Sequence, residues 1–260
     1  MILVWEVKSL SSMVKLSVNV NKIATLRNSR GGNHPNLTDL SQKILSYGAH
    51  GLTIHPREDQ RHIRTEDIAA VKEVIDNWNA KTSNRCEFNI EGEASTRFLD
   101  LVLQHMPDQA TLVPVSPGEI TSDHGFQFPK DNEVLAPIIS KIKEAGIRVA
   151  LFIEAGASGL KLAKDMGADR IELYTGPFAE IYDKDPIKAK AIYTRYEYTA
   201  QEAIKVGLVV NAGHDLDHEN LKLFHKLPGL KEVSIGHRLV STALEWGFEK
   251  TIQEYLKVLS

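Results

Sequence analysis

A chain of 260 residues with 42% hydrophobic content is long enough to bury the core of one large α/β domain. Its formal net charge of -3 gives no sign of the broad basic surface of a nucleic-acid binder, so any anion site must be assembled locally and no nucleic-acid partner is expected. A single cysteine, Cys86, excludes an intrachain disulfide and a cysteine zinc site, and suits a reducing compartment such as the cytoplasm.

The opening MILVW is apolar but too short to span a bilayer and lacks a basic leader pattern, so no membrane segment is expected. Met13 stands just before the first clear strand. Residues 1–14 are therefore expected to be a dispensable extension or an over-extended start, and residues 15–260 a single catalytic domain. In KLSVNVN, from Lys15 to Asn21, Leu16, Val18 and Val20 alternate with Ser17, Asn19 and Asn21. Parallel strands covered on both faces normally read as unbroken apolar runs. A closed barrel explains the polar phase, which would point into the barrel and become chemical at its mouth. The next stretch, with Arg27, Arg30 and two glycines, reads as a loop leading to a helix from about Asn36 to Gly48.

GLTIHPREDQRHI follows. Leu52 and Ile54 alternate with Thr53 and His55, and Pro56 stops the strand with His55 at its end. Arg57, Arg61 and His62 come within a turn of it, and a histidine beside a forked cation suits phosphate holding with a proton transfer nearby. A helix from Thr65 to Trp78 leads to CEFNIEGE, where Asn89 and Glu91 take the polar phase. A helix from Ser95 to His105 and a strand from Ala110 to Val115 precede the long Gly/Pro/Asp-rich stretch Ser116 to Asn132, which reads as a functional loop or lid. Then come a helix from Val134 to Ala145, a strand ending at Glu154, a short helix from Ser158 to Met166 and a strand bearing Glu172. The chain closes with a helix from Ile187 to Val206, the strand LVVNAGH, an amphipathic segment from Asp217 to Leu227, the strand EVSIGH, and a helix from Ser241 to Leu259.

Regular strand and helix alternation over this length predicts a TIM (β/α)8 barrel. An open doubly wound sheet is the alternative, but no G-x-G-x-x-G follows the first strand. On a barrel, the strand ends gather Asn19, Asn21, Lys22, His55, Arg57, Glu91, Thr121, Glu154, Glu172, His214, Gly236 and His237 at one mouth. Taken singly, each has a bland explanation: ion pairs inside the barrel for Glu91 and Glu172, a helix cap for His214, a tight turn for Gly236 with His237, solvated loop charges for Arg27 and Arg30. Their joint placement favours acid/base chemistry on a small phosphorylated metabolite. His55, His214 and Glu91 would move protons; Arg57, Lys22 and Arg30 would neutralise phosphate, together with backbone amides after Gly236. No tight His/Asp ligand spacing is present, so no metal is expected.

The segments VNVNKIATLRNSRG, GLTIHPREDQRHI, FNIEGE, LVVNAGHDL and SIGHRLV, in this order, closely resemble the pyridoxine 5'-phosphate synthase family of vitamin B6 biosynthesis, and the likeness runs from about Lys15 onward. The resemblance implies a cofactor-free, ring-closing condensation of 3-amino-2-oxopropyl phosphate with 1-deoxy-D-xylulose 5-phosphate by a cytoplasmic homo-octamer. It places His55 and Glu91 on general bases and His214 on a proton donor. Arg57, His62 and Thr121 fall on contacts to the deoxyxylulose phosphate, and Asn19, Arg30, Gly236 and His237 on contacts to the aminoketone phosphate. It makes the Ser116 to Asn132 loop a lid. Two positions depart: Asn21-Lys22 stand where many members carry Asp-His, and Asp215 stands where many have glycine. Both still count as substrate-binding positions. Competing readings are another phosphosugar barrel, an epimerase or aldolase, and a non-catalytic metabolite-binding barrel.

Overall fold

The computed structural model describes residues 13–116 and 122–260. Most of the segment expected to be an N-terminal extension, and Thr121 with the start of the long loop, lie outside the described residues. Eight parallel strands close into a barrel in chain order: β1 (Lys15–Asn19), β2 (Gly51–Ile54), β3 (Glu87–Gly92), β4 (Gln109–Leu112), β5 (Arg148–Ile153), β6 (Arg170–Tyr174), β7 (Val209–Gly213) and β8 (Leu230–Ile235). The ring shuts where β1 meets β8, with Lys15 opposite Glu232 and Val18 opposite Ile235. Around it run α1 (Asn21–Asn28), α2 (Leu37–Ser46), α3 (Thr65–Lys81), α4 (Thr96–His105), α5 (Asn132–Glu144), α6 (Leu160–Asp165), α7 (Gly176–Lys184), α8 (Pro186–Lys205), α9 (Leu221–Phe224), α10 (His237–Trp246) and α11 (Phe248–Leu259).

The two phases of each strand do different work. Leu16, Val18, Leu52, Ile54, Phe88 and Ile90 are fully buried against the helices, forming the core between barrel and outer ring. The alternate positions fill the barrel with polar groups that satisfy one another. The Ser17 and Thr53 hydroxyls share a 2.7 Å hydrogen bond, Asn89 Nδ2 donates to Thr53 Oγ1 at 3.3 Å, and Thr111 Oγ1 donates to Asn89 Oδ1 at 2.9 Å. At the N-terminal end Lys15 and Arg148 both pair with Glu87, and Arg170 lies 3.4 Å from Glu232. A polar column thus replaces the branched apolar layers usual in such barrels, and it is what puts Glu91 and Glu172 in the interior.

Several helix limits follow the sequence signals. The Asn36 side chain accepts the Asp39 amide at 3.0 Å and Ser95 accepts that of Phe98 at 3.2 Å, capping α2 and α4. Four segments differ from expectation. The stretch after β1 is helical, not a loop, because Ile23, Ala24 and Arg27 form a buried face whose third member is charged and hides the apolar period. The sequence reading left α7 out; Pro177 at its first turn starts it and Phe178 and Ala179 bury it. The segment from Asp217 to Leu227 yields only the single turn α9. Asp217 and Asn220 spend their side chains on nearby backbone, Asn220 Nδ2 donating to the Asp215 carbonyl at 3.1 Å, and such bonds compete with a helix. The last helix is two, α10 and α11, broken at Gly247 with φ +81, and α10 begins earlier than expected, at His237. That earlier start sets Gly236 at a helix N-terminus on the barrel mouth.

Candidate active site

The site grows from the C-terminal ends of β1, β2, β3, β7 and β8. Ile54 is registered with Ile90, which brings the next residues, His55 and Glu91, side by side. Asn19 ends β1 and Ser234 lies on the inward phase of β8. Together they frame a cavity of about 500 Å³. Eleven of the residues expected from sequence line it: Asn19, Asn21, Lys22, His55, Arg57, His62, Glu91, His214, Asp215, Gly236 and His237. Arg30 is exposed in the turn after α1 and does not line the cavity, and Thr121 lies outside the described residues. Glu154 opens instead on a neighbouring cavity with Gly125 and Arg195. Glu172 is buried deeper, against Gly213, where an added Cβ would lie 2.5 Å from its Oε1.

Glu91 is the electrostatic centre. Among the described residues its carboxylate takes two long hydrogen bonds, from Asn19 Nδ2 at 3.3 Å and Ser234 Oγ at 3.4 Å. Burial therefore dominates and raises its pKa to about 7, with the Ser234 hydroxyl pulling down and the Glu232 charge pushing up. Glu172 is held well above the usual carboxylate range by burial first, then by the charges of Glu91 and Glu232. His55 Nδ1 stands 3.9 Å from Glu91 Oε2, beyond hydrogen-bond length, while its buried Nε2 has no hydrogen-bond partner among the described residues. Burial, followed by the positive charge of Arg57, lowers the His55 pKa well below its ordinary value, so the ring is neutral at neutral pH. His62 is lowered to about 4 by burial and then by Arg57, Lys22 and Arg61. Its Nδ1 accepts the Ile63 amide at 2.9 Å, which leaves the neutral ring's proton on Nε2.

The backbone holds these groups in place. Asn21 Oδ1 accepts the His55 amide at 2.9 Å, and the Asn21 amide donates to Asn19 Oδ1 at 3.0 Å, tying the ends of β1 and β2 together. Arg97 donates to the Pro56 carbonyl at 2.6 Å. His214 and Asp215 both have left-handed backbones, φ +82 and +57, a conformation that favours glycine. The loop is kept there by Thr175, whose hydroxyl donates to the carbonyls of Gly213 and His214, and by Asn220. The His214 ring rests between Phe152 and Tyr174, at centroid distances of 4.9 and 5.5 Å. The positive φ at Asp215 is one that glycine adopts without strain. The pKa of Arg238 nearby is pulled down by burial but held above its ordinary value by its hydrogen bond to Asp183 and the charges of Asp183 and Asp217, to which the Asp215 carboxylate adds the least.

Sequence reasoning missed Ser234, Thr25, Ser122 and the Phe152–Tyr174 shelf, and it named Arg61 without a role. The period of two in EVSIGH carried the Ser234 signal, since Glu232, Ser234 and Gly236 share the inward phase. Among the described residues no cluster of three or more metal-ligating side chains occurs, and no helix is long and apolar enough to cross a membrane.

The Ser234 contact supplies a direct test. If Glu91 must be ionised to accept a proton, kcat/KM rises with pH as Glu91 titrates through about 7. Ser234→Ala removes a donor that favours the carboxylate, and it should move that acidic limb upward by roughly half a pH unit, worth about 0.7 kcal/mol. A limb that stays in place in the pH profile of the variant would contradict the assignment of Glu91 as the titrating group.

A closed parallel barrel with a buried carboxyl and histidine at its C-terminal mouth, ringed by cations, defines a (β/α)8-barrel enzyme of the acid/base kind. Residues 16–260 match the family model described as "Pyridoxal phosphate biosynthesis protein PdxJ", and the chain belongs to that family. It is 57% identical to the pyridoxine 5'-phosphate synthase of Leptospira biflexa serovar Patoc over 95% of this chain and 98% of that one. It is 47% identical to the enzyme of that name from Brucella abortus, again covering 95% and 98% of the two chains. Among solved structures, 3-hexulose-6-phosphate synthase from Salmonella typhimurium superposes with a TM-score of 0.62 at 15% identity, covering 95% of this chain and 98% of that one. N-(5'-phosphoribosyl)anthranilate isomerase from Pyrococcus furiosus gives 0.56 at 12% identity, covering the same shares of the two chains. These two likenesses concern the fold alone.

Proposed function

We propose that the chain is a pyridoxine 5'-phosphate synthase that condenses 3-amino-2-oxopropyl phosphate with 1-deoxy-D-xylulose 5-phosphate, releasing phosphate and water. The observation that carries the site's part of this reading is the buried, unpartnered Nε2 of a neutral His55 beside a Glu91 whose pKa lies near 7. A neutral imidazole and a carboxyl that titrates near neutrality, side by side at the mouth, can take up and return protons. Imine formation, phosphate elimination, ring closure and dehydration each make or break a bond with the help of proton transfers, and none needs a redox centre.

In this reading Glu91 and His55 are the general bases. Glu91 orients the Nδ1 side of His55 when the two close to hydrogen-bond distance on substrate binding, leaving Nε2 to take the substrate proton. His214, on its aromatic shelf, is the proton donor. Arg57 and His62, joined by Thr121 from the lid, hold the deoxyxylulose phosphate, with Lys22 beside them. Asn19 and the amides that open α10 at Gly236 and His237 receive the aminoketone phosphate, where the helix end supplies donors and a favourable dipole. Arg30 completes that site by inward movement of its turn, for which Gly31 and Gly32, at φ +77 and +75 with open space around them, provide the freedom. Asn21 acts through the backbone of His55. Closure of the 116–132 loop would keep water from the imine and enol intermediates. The working protein is a cytoplasmic homo-octamer with no cofactor.

The test mixes the purified protein with both phosphates in the presence of a chelator and follows pyridoxine 5'-phosphate by absorbance and mass. Product should form at the same rate with and without the chelator. Absence of product from intact substrates and folded protein would reject the reading, and loss of rate on chelation would reject its metal-free form.

A further inference from the structure

The ATLRN stretch contributes Thr25 to the cavity wall, but its arginine and asparagine lie behind that wall. Arg27 is 4% exposed on the inner face of α1. Its guanidinium forks onto the Asp67 carboxylate in the first turn of α3, Nη1 to Oδ1 at 2.6 Å and Nη2 to Oδ2 at 2.8 Å. Nη2 also reaches the His62 carbonyl at 3.3 Å. Asn28 Nδ2 donates to the same carbonyl at 2.8 Å and to that of Arg61 at 3.4 Å, while its Oδ1 accepts from Arg27 Nε and Nη2 at 3.1 and 3.0 Å.

The backbone of the segment carrying Arg61 and His62 is thus hung from α1 by two side chains that are themselves locked together. The His62 ring inherits this fixity, because its Nδ1 is pinned to the Ile63 amide. The same helix begins with Asn21 and Lys22, which also line the cavity. An ion pair serving stability alone needs only Asp67. Here Arg27 Nη2 also serves the His62 carbonyl while Asn28 Nδ2 serves those of Arg61 and His62, and a planar fork with several donors lets Arg27 hold Asp67 and the cavity-side backbone together.

We propose that Arg27 and Asn28 are positioning residues that lock the Arg61–His62 segment to α1, and so fix the spacing across which the phosphate of the deoxyxylulose substrate is gripped. This rests on the substrate-binding role of His62 given above. Neither residue touches substrate; both act through the backbone that carries His62.

Two variants test it without emptying the buried site. Arg27→Lys keeps a charge beside Asp67 but cannot span to the carbonyl, and Asn28→Ala leaves the Arg27–Asp67 pair intact. In each, once thermal melts show a folded protein, KM for 1-deoxy-D-xylulose 5-phosphate should rise roughly tenfold, a cost in keeping with a misplacement below 1 Å. KM for 3-amino-2-oxopropyl phosphate should stay within about twofold and kcat within about threefold. Amide hydrogen exchange at residues 61–63 should quicken while the body of α3 stays protected. An equal rise in both KM values, or no rise in either with only a lower melting temperature, would overturn the positioning role, as would unchanged exchange at 61–63. If the parent protein makes no product, the functional reading fails on that result. The lock itself is then decided by exchange, where quickening confined to 61–63 supports it and its absence overturns it.

Discussion

Replacing Glu91 by glutamine is expected to lower kcat by about a thousandfold while leaving the affinity for each phosphate compound within a few fold. The substitution preserves shape: the amide oxygen still accepts from Asn19 Nδ2, and the new amide NH2 donates to the Ser234 hydroxyl, which turns from donor to acceptor, so the barrel mouth should hold. What it removes is the group whose pKa burial has brought to about 7, where one side chain can both take and return a proton in a multistep condensation. Steady-state rates paired with calorimetric binding of each phosphate separate the outcomes. Lost turnover with kept binding is the enzyme's signature. A variant that turns over like the parent would remove Glu91 from the mechanism, and one that loses binding in proportion to rate would favour a barrel that grips its metabolite without transforming it.

Asp67→Ala should cost about 3–5 kcal/mol of stability, because it removes the paired carboxylate and leaves the buried Arg27 charge hydrogen-bonded to the His62 carbonyl and the Asn28 side chain. In a domain of this size that corresponds to a fall in melting temperature on the order of 10 °C. It also takes an acceptor from the Arg64 amide, which donates to Asp67 at 2.8 Å at the start of α3. The double replacement of Arg27 and Asp67 by methionine should recover a large part of the loss, since removing both charges is far less damaging than stranding one. A single variant that melts within about 2 °C of the parent would mean that water reaches Arg27 and screens it.

The barrel was legible because its strands keep strict phase: the polar alternation in KLSVNVN and CEFNIEGE said inward-facing chemistry before any coordinates, and the closed ring bears it out. The proline after His55 placed that residue at the mouth for a local steric reason. Arg27 was misread as a loop charge, because its partner lies forty positions away and nothing local marks a buried arginine. The aromatic shelf under His214 was illegible for the same reason, since Phe152 and Tyr174 come from separate strands. The break at Gly247 hid within a helical period that continues on both sides of it. Local chemistry is written locally, whereas a contact made by closing the ring is not.

The polar column inside the barrel ties folding to acidity. Glu91 in the folded chain keeps its proton to about 7 and Glu172 holds its own well above the usual carboxylate range, whereas both would release it near the ordinary 4.5 on unfolding. The native state therefore binds more protons across that window, and these two groups make it less stable as pH rises. His55 and His62 act in the opposite sense: folded, they resist protonation down to about 4 for His62 and well below the ordinary 6.5 for His55, so their contribution strengthens the fold as pH climbs toward 6.5. The two trends offset each other on the mildly acidic side, and above it the carboxyls act alone. Ionising Glu91 for proton abstraction thus loosens the same barrel that holds it, and an alkaline shift that favours the base costs the fold part of its hold.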